Sequence, residues 1–147
     1  MGKLIKNHWA RLIILTSATY QFAAALEGFF WPKIFWDFLT KTVDPAVKPF
    51  PTLQIINLIF ALLAFAWEWP LKPLVDTFPG VHRSIEARLC VYPMAALSAA
   101  LLYQATNPAI YYCIGMGAYA WAFVEAEQEC AEPWSVPRKG GTRPGKV

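Results

Sequence analysis

Two tryptophans, Trp9 and Trp31, bracket a run in which only Arg11 and Glu27 carry charge. At 1.5 Å of rise per residue, a helix between them is about 33 Å long, close to the thickness of a bilayer's hydrocarbon core. A basic flank (Lys3, Lys6, Arg11), an aromatic at each end and a stop at Pro32 complete the pattern of a membrane-spanning helix. Hydrophobic residues make up 56% of the chain and charged residues 16%, against about 25% charged in an average soluble domain. The expected class is therefore an all-α protein that has lipid as its solvent.

Three further apolar stretches follow, for expected spans at about 9–30, 52–69, 89–105 and 108–124. Thr52 is a plausible N-cap for the second, which Pro70 and Pro73 close. Pro93 kinks or shifts the first turn of the third. Asn107 as N-cap and Pro108 at the first helical position start the fourth. Residues 31–39 mix aromatics with Lys33 and Asp37 and predict a short amphipathic segment in the interface. Residues 1–130 thus form one four-helix transmembrane bundle. The Pro-, Gly-, Lys- and Arg-rich tail, 131–147, is expected to be disordered. The opening run is too long for the apolar core of a cleaved signal, and Lys6 stands where a myristoylation motif needs Ser or Thr.

Four spans put both termini on one side. Three basic residues lie in the N-terminal flank, three in the second loop (Lys72, Arg83, Arg88) and four in the tail (Arg138, Lys139, Arg143, Lys146). Only Lys33, Lys41 and Lys48 fall on the opposite side. The positive-inside rule then predicts cytoplasmic termini. The scattered basic residues form no nucleic-acid stripe. Spans near 17 residues favour the endoplasmic reticulum or another endomembrane over the thicker plasma membrane.

Each helix carries one stripe of small and polar residues, the side on which helices approach in lipid. The stripes are Thr16, Tyr20, Ala23, Ala24 and Glu27; Gln54, Asn57, Ala61, Ala64 and Glu68; Ala95, Ala96, Ser98, Ala99 and Ala100; and Gly115, Ala118, Ala122, Glu125 and Glu129. Packing is the plain reading of all four. The sharper reading concerns Glu27, an acid inside a span. Gln54, Asn57, Gln104, Tyr111 and Tyr112 fall at a similar depth and would form a polar pocket around it. The plainer alternative is a Glu that reaches the headgroups or pairs with Lys33. On the other side, Arg11, Glu68, Arg88 and Glu125 lie at one level and could pair, with little energy expected from interfacial pairs.

Paired acids, a His-x-x-x-His, a Gly-x-Ser-x-Gly and a phosphate-cradling glycine loop are all missing from the sequence. His8 and His82 lie outside the spans, so Glu27 has no histidine partner, and a metal site with Glu127 and Glu129 would need a coincidence of unrelated segments. Cys90 and Cys113 are expected to be buried as small hydrophobes, and Cys130 to be a free thiol. No cofactor or metal is predicted.

The opening MGKLIKNHWARLIILTSATYQFAAALEGFFWPKIFWDF, with WEWPLK, HRSIEARL and YQATNPAIYY further on, resembles a family of small fungal membrane proteins with no assigned activity. The resemblance covers about residues 1 to 130. It implies four spans in one compact unit and a eukaryotic endomembrane or cell-surface location, and brings no catalytic residues. The expected function is non-enzymatic: an accessory or scaffolding subunit that contacts membrane lipids and another membrane protein or a second copy. The alternative is a small transporter or a ligand- or lipid-binding protein built on the Glu27 pocket.

Overall fold

In the computed structural model, which describes residues 5–125 apart from 38, 40, 43 and 70, all regular structure is helical except for one isolated bridge. Four long helices carry the fold: α1 (Lys6–Phe30), α2 (Thr52–Glu68), α5 (Ile85–Leu101) and α6 (Thr106–Val124). Two short ones, α3 (Lys72–Thr77) and α4 (Pro79–Arg83), join α2 to α5. Among the described residues only α1 is both long and apolar enough to cross a membrane by itself; α2 is apolar but shorter, at 17 residues. The tail, Cys130, Glu127 and Glu129 lie outside the described residues.

The long helices alternate in direction. Lys6 at the start of α1 forms an ion pair with Glu125 just past the end of α6. The end of α1 meets the start of α2, where the Gln54 side chain donates to the Gly28 carbonyl at 3.1 Å. The end of α2 meets the start of α5 through Glu68 and Arg88, 3.0 Å apart. The most extensive packing is of α1 against α6 and α2, and of α5 against α6. The result is an up-down-up-down bundle in which residues 102–105 make a short link from α5 to α6, while 31–51 and 69–84 make longer ones.

Small residues set the helix spacing. A Cβ on Gly115 would lie 2.5 Å from Cδ1 and 2.8 Å from Cγ1 of the fully buried Ile14, so only glycine lets α6 come this close to α1. Ala61, Ala64, Ala95, Ala99 and Ala122 are all buried, and Ala118 partly so.

Helix starts differ from the sequence reading. Pro51 is the N-cap of α2 and Thr52 its first residue, with no side-chain cap. A turn of 3-10 helix, Tyr103–Ala105, runs directly into α6, so Ala105 is the N-cap and Asn107 already lies inside the helix. At α5, the Ser84 hydroxyl accepts from the Ala87 amide at 3.0 Å and starts the helix four residues before Leu89. This cap satisfies one of the amides a helix N-terminus leaves open. Residues 31–36 are not helical: Ile34 bridges the fully buried Leu102, flanked by Tyr103 N–H to Lys33 O (3.0 Å) and Phe35 N–H to Leu101 O (3.1 Å).

The face of α1 also differs. Its buried residues include Ala10, Ile14, Ser17, Ala18, Gln21, Ala24, Ala25 and Gly28, while Thr16, Tyr20, Ala23 and Glu27 face outward. The Thr16 and Thr19 hydroxyls donate to the carbonyls of Leu12 and Leu15, both at 2.9 Å. A hydroxyl satisfied by its own helix needs no partner from a neighbour, so these residues can face out. Cys90 and Cys113 are exposed rather than buried; a thiol is apolar enough to sit on an apolar exterior.

Candidate functional site

Each of the four long helices contributes to a buried cluster centred on the Glu68 carboxylate. Its Oε1 accepts from Arg88 Nε at 3.0 Å and from the Tyr92 hydroxyl. Its Oε2 accepts from Arg11 Nε at 3.2 Å and from the Tyr119 hydroxyl at 2.8 Å. Glu68 and Arg88 are fully enclosed, and Arg11 nearly so. Four donors on one carboxylate use its acceptor capacity. Arg88 further donates to the His82 carbonyl at 2.6 Å, and its guanidinium lies 5.4 Å from the centre of the Tyr119 ring.

Local sequence places these groups. Arg88 and Tyr92 stand four apart on α5 and share a face. On α2, Asn57, Ala61, Ala64 and Glu68 keep to one stripe by spacings of four, three and four. The stripe that carries small residues inward therefore also carries Glu68 into the core at the last turn.

A second polar layer lies deeper in the bundle. The Gln21 amide nitrogen donates to Asn57 Oδ1 at 2.9 Å, and its carbonyl accepts from the Tyr112 hydroxyl at 2.8 Å. Asn57 donates to the carbonyls of Leu53 (2.8 Å) and Ser98 (3.0 Å). Here too all four long helices take part. Asn57 and Glu68 stand eleven positions apart on α2, about 16 Å along the axis. Between the layers, the ring of Tyr92 lies 5.9 Å from that of Tyr112 and 6.2 Å from that of Tyr119. Ile14, Gly115, Ala61 and Ala64 occupy the same interval.

The six residues considered for a pocket around Glu27 are not gathered there. Glu27 and Tyr111 face outward, and the Tyr111 ring lies 6.2 Å from that of the exposed Tyr20. Gln54, Asn57 and Tyr112 point into the core, and Gln104 donates to the Trp31 carbonyl. The reason is the rotation of α1, which presents Gly28 and Gln21 to the bundle where Glu27 was expected. Lys33 lies over the Tyr103 ring, 4.6 Å from its centre. On the other side, the structure brings Arg11 and Arg88 together on Glu68, while Glu125 pairs with Lys6 and accepts from Trp121 Nε1 at 2.7 Å. These charges are not an interfacial array: the Glu68 group is a buried core.

Sequence reasoning missed Tyr92, Tyr119 and Gln21. A tyrosine in an apolar helix looks like an interface anchor. The available signal was spacing: Tyr92 follows Arg88 by four, and Tyr119 follows Tyr112 by seven.

Fold and site together define an antiparallel helical bundle cross-braced by two buried polar layers. The chain matches the domain of unknown function DUF7727 over residues 1–127 and belongs to that family. No curated protein and no solved structure matches it.

Proposed function

We propose that this chain is a multi-pass integral membrane protein, with α1, α2, α5 and α6 as spans, and that it acts without catalysis as an accessory or scaffolding subunit. The observation that carries the reading is polarity turned inside out. Glu68, Arg88, Gln21, Gln54 and Asn57 are enclosed, while Leu12, Ile59, Leu62, Met94, Leu97, Ile110 and Ile114 cover the outside. Water penalises such an exterior, whereas lipid accommodates it and requires polar groups to be satisfied within the bundle.

The 17 residues of α2 and of α5 span about 25 Å each, which suits a bilayer as thin as that of the endoplasmic reticulum. The balance of basic residues supports cytoplasmic termini. The Glu68 carboxylate has all its acceptor sites occupied by the protein's own donors, as a structural brace requires. The apolar exterior is then the surface offered to lipid, to another membrane protein or to a second copy.

Alkaline carbonate extraction and glycosylation acceptors placed in the 39–50 loop and in the tail test residence and orientation. The chain should stay with the membrane, with only the loop acceptor modified. Purification in mild detergent followed by mass spectrometry tests the accessory role; recovery as a clean monomer without a partner overturns it.

A further inference from the structure

A cleft of about 340 Å³ opens between the C-terminal half of α2 and α4, lined by Leu63, Ala66, Trp67, Phe78, Val81 and His82. Its walls are almost wholly apolar, yet two buried ring nitrogens on its lining residues, Trp67 Nε1 and His82 Nε2, have no hydrogen-bond partner among the described residues. His82 is only 8% exposed. The Trp67 backbone favours a proton on the ring, and Nε2 is the ring atom without a partner. Burial, and then the charges of Arg88 and Arg11, hold the imidazole pKa below its usual value despite the opposing charge of Glu68. A neutral ring whose other nitrogen carries the proton presents a lone pair at Nε2. The indole nitrogen is a donor only.

We propose that this cleft binds a sterol, the hydroxyl of which accepts from Trp67 Nε1 and donates to His82 Nε2. One open acceptor and one open donor on two residues that line the same cleft match a single hydroxyl, which plays both parts. A diacylglycerol or phospholipid brings ester carbonyls or a phosphate, for which the apolar walls supply no further donors. Leu63 and Trp67 stand one helical turn apart, and the outward-facing Ile59 continues the stripe another turn toward the bundle's middle. A rigid apolar body can lie along that stripe, with its hydroxyl at the end of α2. The nitrogens are buried beneath the lining, so the hydroxyl reaches them only when lining side chains shift, and the exposed Phe78 and Val81 have the most room to do so. The site rests on the membrane reading above.

The test uses the full chain in phosphatidylcholine vesicles with a photoreactive sterol. Label should concentrate on the segments carrying Leu63–Trp67 and Phe78–His82. Unlabelled sterol should compete, and its epimer with inverted hydroxyl should compete poorly. Trp67→Phe should weaken binding about tenfold, the size expected when one hydrogen bond is lost and its partner left unpaired. Leu63→Trp changes an outward-facing residue and fills the cleft, so it should abolish the focused label while the fold survives. Label spread over the outer faces of all the long helices overturns the site, as does label unaffected by Leu63→Trp or competition by diacylglycerol equal to that by sterol. Carbonate extraction of the same vesicles separates the two failures. A released chain overturns membrane residence and the site with it; a retained chain with diffuse label overturns the site alone.

Discussion

The two polar layers use the same plan, with groups drawn from every long helix, but with different chemistry. The Glu68 layer is ionic: one carboxylate, two guanidiniums and two phenols. The Gln21 layer is neutral: two amides, a phenol, and the backbone carbonyls of Leu53 and Ser98. The difference sets what each loses when broken. A buried ion whose partner is removed keeps its charge in a medium that solvates it badly, whereas a buried amide that loses one bond keeps others. The ionic layer therefore locks which helix ends meet, and the neutral layer tunes how closely the middles pack.

The largest effect should come from Glu68→Ala, which leaves Arg11 and Arg88 buried without their shared carboxylate. A loss of about 3–5 kcal/mol is expected, read from denaturation in mixed micelles. Replacing Arg11, Glu68 and Arg88 together with apolar residues of similar size should restore most of it. If the triple variant is as unstable as Glu68→Ala, the charge argument is wrong.

Removing one phenol, Tyr119→Phe, should cost about 1.5–3 kcal/mol, the range for hydrogen bonds to charged groups. The corresponding change in the neutral layer, Tyr112→Phe, should cost less. Equal losses would erase the distinction between the layers. In the apolar interval between them, Gly115→Ala should destabilise by about 1–3 kcal/mol through overpacking against Ile14. Ile14→Val removes Cδ1, the nearest atom to the new methyl, and should recover part of that loss.

Asn57→Leu should be milder still, about 0.6 and at most about 1.7 kcal/mol, the range for hydrogen bonds between helices in lipid. With the layers about 16 Å apart along α2, Asn57→Leu and Glu68→Gln should add to within about 0.5 kcal/mol in a double-mutant cycle. A larger coupling would show that the Tyr112–Tyr92–Tyr119 stack transmits strain between them.

The smallest effect concerns pH at the edge of the ionic layer. His82 is held below its usual 6.5 by burial and by Arg88 and Arg11. Below pH 6.5 the unfolded chain therefore takes up a proton that the folded one resists. Stability from this group is complete above 6.5 and declines as pH falls toward the folded value. His82→Gln should remove that part of the slope, measured by thermal unfolding from pH 7 to 5.

How much of this was legible in the sequence varied by helix. On α2 the polar and small residues recur at threes and fours with large apolar side chains between them, so one face stands out. On α1 the Ser, Thr, Tyr, Gln and Ala residues lie all round the axis, and no face stands out. The error there followed Thr16, Tyr20 and Glu27 outward, when Ser17, Gln21 and Gly28 point inward. The Glu68 group was legible as a level along the bundle but not as a cluster, because its members come from four segments whose rotations must agree.

By itself the sequence determined where the long helices run and that their flanks are basic and aromatic, because hydropathy and rise per residue are local properties. It also marked α2's inner face, down to Glu68. Only the tertiary structure decided which face of α1 turns inward and that Tyr92 and Tyr119 close on the carboxylate. It alone showed Ala105, rather than Asn107, as the N-cap of α6. Those choices depend on which neighbour can accept a hydrogen bond or admit a side chain, and that is a property of four helices at once.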